Sequence, residues 1–121
     1  MNNQEGLEFI RKYFDELFGK RNIGALDLYL DENYFDDDIG DAEVDHLENS
    51  KEFLAEWFRV QPTIGVEVID AITQDNVISA FLNWFVIESN TKRIIQKGVA
   101  IFVVNNQKIL KRHTYIYSEQ C

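Results

Sequence analysis

The sequence predicts an α+β domain: three N-terminal helices, then a strongly bent antiparallel sheet wrapped around them as a cone-shaped barrel. Two observations carry this. Apolar residues recur at helical spacing in the first half and alternate in the second. The sole proline, Pro62, stands at the change of period. Helices segregated to one face of an antiparallel sheet define the class, and the mouth of a cone is a natural pocket.

Leu7, Ile10, Phe14, Leu17 and Phe18 form the apolar stripe of a helix over 5–18, which Gly19 ends. A second short helix is predicted over 23–30, "IGALDLYL". Tyr34 and Phe35 then read as a short strand, and 39–48 as a loop. Asn49 or Ser50 can cap a third helix carrying Phe53, Leu54, Trp57 and Phe58. Four strands follow at 64–73, 77–89, 93–104 and 108–117. The turns between them, "QDN", "NTK" and "NNQ", make a meander of hairpins, to which the short strand adds.

The length of 121 residues fits one domain over 1–121. A net charge of −9 argues against nucleic acid and anionic membrane surfaces, whose binding needs Lys and Arg. No apolar run is long enough for a membrane span, and "MNNQEGLEFIRKYF" lacks the pattern of a secretory leader. Cys121 is the only cysteine, which excludes disulfides and cysteine-ligated zinc within one chain. A cytoplasmic protein is therefore expected.

The stretch "YFDDDIG", 34–40, sets three carboxylates side by side. Alternation puts Tyr34, Asp36 and Asp38 on one face and Phe35 and Asp37 on the other. A carboxylate facing an apolar pocket becomes a usable general base, whereas the same residues in a solvated turn are unremarked. A metal reading lacks a glycine-punctuated ligand loop, and His46 and His113 stand far apart without ligand spacing, so no metal and no cofactor is expected. Trp57, Trp84, Phe81, Phe85 and Phe102 are either plain core or the wall of a pocket for a flat hydrophobic molecule.

The element order, with "LDLYLDENYFDDDIG", "SKEFLAEWF" and "GVAIFVVNNQKILKRHTY", resembles the nuclear transport factor 2-like superfamily. Within it the likeness is to SnoaL-like polyketide cyclases and ketosteroid isomerases, over nearly the whole chain. Tyr13 and Asp37 or Asp38 fall near the isomerases' hydrogen-bonding Tyr and base Asp, so the resemblance implies an acid–base Asp in the 36–38 run with Tyr13 as hydrogen-bond donor; alternation favours Asp36 or Asp38. SnoaL-like sequences often carry Asp-His-Asp after an aromatic; Asp37 stands at the His. Thr114 stands where such cyclases have a last-strand Asp, and Ala100 where isomerases have a protonated Asp. The family's strand parity implies Arg112 and Thr114 inward and His113 outward, with Arg112 a partner for Asp36 or Asp38.

Two functions follow as expectations. One is a binder of a small hydrophobic molecule, performing cofactor-free isomerase- or cyclase-type acid–base chemistry. Its catalytic residues would be Asp38, Asp36 and Tyr13; Tyr34, Trp57, Trp84, Phe102, Arg112 and Thr114 would contact the ligand. The other is a non-catalytic ligand-sensing or dimerisation module of the same fold, which the residues at 100 and 114 favour. Strands 77–89 and 93–104 are apolar on both faces, so a homodimer packed sheet to sheet is also expected.

Overall fold

The computed structural model describes residues 1–41 and 43–119; Ala42, Gln120 and Cys121, with the expectation about Cys121, lie outside the described residues. Helix α1 (Asn3–Phe14) starts two residues before the helix expected from residue 5 because Asn2 and Glu5 cap it reciprocally. The Asn2 side chain accepts from the Glu5 N–H at 2.8 Å, and the Glu5 carboxylate accepts from the Asn2 N–H at 2.9 Å. The helix continues as a wider π-turn, Asp15–Gly19. A 3-10 turn, Ile23–Ala25, leads into the single-turn α2 (Leu26–Tyr29).

Strand β1 (Leu30–Asp36) is longer than the Tyr34–Phe35 pair expected. Helix α3 (His46–Val60) begins ahead of Asn49 and Ser50, because Asp45 is its cap and accepts from the Glu48 N–H. Strands β2 (Gly65–Gln74), β3 (Val77–Glu88), β4 (Thr91–Asn105) and β5 (Lys108–Glu119) form the meander. Left-handed backbone at Ser89–Asn90 and Asn106–Gln107 makes two of its turns tight enough to reverse the chain. No helix among the described residues is long and apolar enough to cross a membrane.

The sheet order is β1-β5-β4-β3-β2. The meander is antiparallel, but β1 joins the edge beside β5 in parallel, so the sheet is mixed and does not close. Register shifts leave an extra residue at Ile69 in β2, Ile95 in β4, and Leu110 and Tyr117 in β5. Such bulges bend strands and strengthen their twist, which curls the sheet around α1 and α3. The bulge in β5 also corrects a simple alternation. Ile109, fully buried opposite Val104, takes the inward place that unbroken parity assigns to Leu110.

The core lies between α1 and the concave face. Phe102 is wholly buried and meets Tyr13 and Phe14 edge-on, each at 6.1 Å between ring centroids. Phe18 bridges to α3 through Trp57 and Phe58. Aromatic edge-to-face pairs of this kind add to the stabilisation from apolar burial.

Candidate functional site

A cavity of about 430 Å³ opens between α1 with its π-turn, α3 and the concave sheet face. Its apolar wall comes from Phe14, Leu17, Phe18, Leu26, Leu54 and Trp57 on the helical side. Trp84 closes the sheet side. The ring fits there because Gly98 opposes it: a Cβ at that position would come within 3.2 Å of Trp84 and 2.5 Å of the Tyr115 carbonyl.

The polar groups gather on one wall. Parallel pairing sets Asp36 beside Arg112, residues remote in sequence, and Arg112 and Thr114 follow each other inward along β5. Tyr13, Tyr34, Asp36, Asp38, Arg112 and Thr114 all reach the cavity. The Tyr34 hydroxyl donates to Asp36 at 3.4 Å. The other Asp36 oxygen accepts from the Asp38 N–H at 2.9 Å, bending the chain in an Asx turn. Asp38 accepts from the Thr114 N–H at 3.1 Å.

The expected pairing of Arg112 with Asp36 or Asp38 is therefore corrected. Tyr34 and backbone N–H groups hold the two carboxylates, and among the described residues Arg112 forms no ion pair with either. Arg112 donates from Nε to Thr114 Oγ1 at 3.0 Å, and its guanidinium lies 5.3 Å from the Phe102 ring centroid. Phe102 itself, expected to contact a ligand, is the platform beneath Arg112 and does not reach the cavity. Phe81 does not line the cavity either, and Phe85 borders a separate depression near Gly65.

Both buried tyrosines are held in their neutral form. Burial pushes the Tyr13 hydroxyl up to about 12, with the Arg112 guanidinium offsetting part of the rise. Burial raises Tyr34 further still, again opposed by Arg112. At neutral pH each is a hydrogen-bond donor rather than a phenolate.

The three adjacent carboxylates thus separate by face. Asp37 points to the convex side, where Lys111 approaches it at 3.5 Å and His113 at 3.7 Å. His113 also comes within 3.9 Å of Asp38, whose side chain is 41% exposed at the cavity mouth. His113 packs against Tyr115, with ring centroids 4.3 Å apart and the planes tilted by 41°, and does not enter the cavity.

His46 plays a part that sequence reasoning missed. It is only 4% exposed, and its ring stacks on Phe35. Nδ1 accepts from the Asp36 N–H at 2.9 Å, so the ring proton sits on Nε2 and is donated to the Asp41 carbonyl at 2.6 Å. The ring fastens the loop after β1 to the start of α3 and fixes the backbone of Asp36. The cavity also has Asn49, Ser50, Phe53 and Gln96 on its wall. Helical spacing from Trp57 could have pointed to Phe53 and Ser50. Nothing local marks Gln96. No group of three or more His, Cys, Asp or Glu among the described residues is disposed to hold a metal ion.

Against this geometry stand known proteins. No family model and no curated protein matches the sequence. Solved structures do match. A candidate polyketide cyclase from Bacillus cereus superposes with a TM-score of 0.74 at 16% identity, over 89% of this chain and 71% of that one. A SnoaL-like polyketide cyclase from Agrobacterium tumefaciens gives 0.68 at 14% identity, over 91% and 89% of the two chains. The chain has the SnoaL-like fold. An LEH-like epoxide hydrolase from M. tuberculosis shares it, with a TM-score of 0.65 at 13% identity over 95% of this chain and 84% of its own. At these identities the likeness is one of architecture, and a SnoaL-like fold hosts more than one activity.

Proposed function

We propose that this protein binds a small, largely hydrophobic molecule in the cavity and moves a proton on it without a cofactor, in isomerase- or cyclase-type chemistry. The observation that carries the reading is an aromatic-walled cavity whose polar groups converge on one side. Asp38 is the base. It is oriented by a single backbone donor and stands open at the mouth, whereas both oxygens of Asp36 are engaged. The proton leaves a carbon beside a carbonyl for the Asp38 carboxylate, and the charge moves to the carbonyl oxygen. Tyr13, neutral and uncommitted to a carboxylate, donates to that oxygen. Return of the proton to another carbon isomerises the molecule; attack of the carbanion on a second carbonyl cyclises it.

Proton abstraction is testable without knowing the substrate. Exchange of the α-protons of 2-tetralone in D₂O, followed by NMR, is expected to be faster with the wild type than with Asp38→Asn, by about 10²-fold or more. Quenching of Trp57 and Trp84 fluorescence reports occupancy separately, since both rings line the cavity. Binding with equal exchange in the two proteins would replace the enzyme with a ligand-sensing module.

One observation favours assembly as a second reading. The convex face carries Phe81, Val99, Ile101 and Val103 in its centre, flanked by Ile72 and Tyr115 at 53% and 56% exposure. We propose a two-fold dimer across this face. Light scattering at micromolar concentration is expected to give twice the chain mass, and Val99→Lys to give the monomer. A wild-type monomer would end this reading.

A further inference from the structure

We infer that the ligand of this cavity carries a carboxylate or a comparable planar oxyanion, and that Arg112 grips it. The inference rests on the cavity being the binding site, as proposed above, and names the chemical class that the site selects. Arg112 reaches the inner end of the polar wall, over the buried ring of Phe102. Of its five N–H donors, the one on Nε is given to Thr114 Oγ1, and the buried Tyr13 hydroxyl lies within reach of another, on a terminal nitrogen. The remaining terminal N–H donors have no acceptor among the described residues. They are not sealed from solvent either: among the described residues the buried side-chain polar atoms without partners are Arg21 Nη1 and Thr73 Oγ1, and Arg112 contributes to the cavity wall.

The nearby carboxylates do not satisfy this fork. Asp36 is the cross-strand neighbour, yet its oxygens take the Tyr34 hydroxyl and the Asp38 N–H. Asp38 is turned to the Thr114 N–H. The Nε bond to Thr114 and the seat over the Phe102 ring hold the guanidinium in place before any ligand arrives. A planar guanidinium with terminal N–H donors left over matches a two-oxygen acceptor, where a single carbonyl would use only part of it. The aromatic wall opposite suits the body of the same molecule. An aromatic or polycyclic acid fits both halves of the site.

Two probes of one shape separate the possibilities: 2-naphthoate and the neutral 2-naphthamide. Titrated against the intact protein by tryptophan fluorescence and by calorimetry, naphthoate is expected to bind about tenfold to a hundredfold more tightly than the amide. In Arg112→Gln the two are expected to bind alike, with the amide unchanged. Equal binding of both probes to the wild type would overturn the anion assignment and leave the cavity a hydrophobic site. A preference that survives in Arg112→Gln would overturn the role of Arg112. Binding of neither probe would remove the cavity as a ligand site, and the inference with it. Should the Gln variant not fold, Arg112→Lys decides. It keeps the charge without the fork and is expected to lose most of the preference; an undiminished preference would refute bidentate capture.

Discussion

Phe102→Ala is expected to cost about 3–5 kcal/mol, the usual range for a buried phenylalanine truncated in a packed core. The ring has no exposed surface and is the meeting point of Tyr13, Phe14 and the Arg112 guanidinium. Truncation leaves a void that helix α1 and the sheet, both rigid, do not close. The melting temperature is expected to fall by roughly 10 °C or more. Phe102→Leu, which restores most of the volume, is expected to recover more than half of the loss. Trp57→Ala makes the contrast, because Trp57 is partly exposed on the cavity wall and its removal is expected to weaken probe binding more than stability. A loss under about 1 kcal/mol for Phe102→Ala in chemical denaturation would mean that this ring is not part of the packed core.

His46→Leu is expected to destabilise by about 1–3 kcal/mol. The leucine fills part of the volume but strands the N–H of half-buried Asp36, while the carbonyl of exposed Asp41 can turn to water. An unsatisfied buried polar group costs about 1–3 kcal/mol. His46→Phe keeps the stack on Phe35 and loses both bonds, so it is expected to fall nearly as far. The two variants also release the backbone of Asp36, so naphthoate binding is expected to weaken along with stability. Wild-type stability in both, measured by urea denaturation, would show that water replaces the ring at no cost and that His46 does not hold the site.

The two residues illustrate what could be read in advance. Phe102 and Trp84 are both inward aromatics on neighbouring strands, and alternation assigns them the same face. It does not say where the cavity stops. That boundary depends on helix α1 lying over Phe102 and on Gly98 making room for Trp84, which are contacts between distant parts of the chain. His46 reads locally as a loop residue before a helix. Its role comes from Phe35 and Asp36, brought to it by the loop in between.

The sequence by itself determined the order of helices and strands, the meander and its tight turns, and the aromatic content of the interior. Each of these is written in the period of side chains along a single segment, and burial of an apolar face enforces that period strongly. Only the tertiary structure decided that β1 pairs in parallel with β5, that bulges shift the faces of β2, β4 and β5, and that the carboxylates of 36–38 divide between cavity and convex surface. A parallel edge pairing leaves no local turn signal, since its partners lie 76 residues apart at Asp36 and Arg112. The partners of Asp36 and Asp38 follow from that pairing. Once the Tyr34 hydroxyl and the Asp38 and Thr114 N–H groups reach them first, the guanidinium is left facing the cavity, because those donors already satisfy the carboxylates.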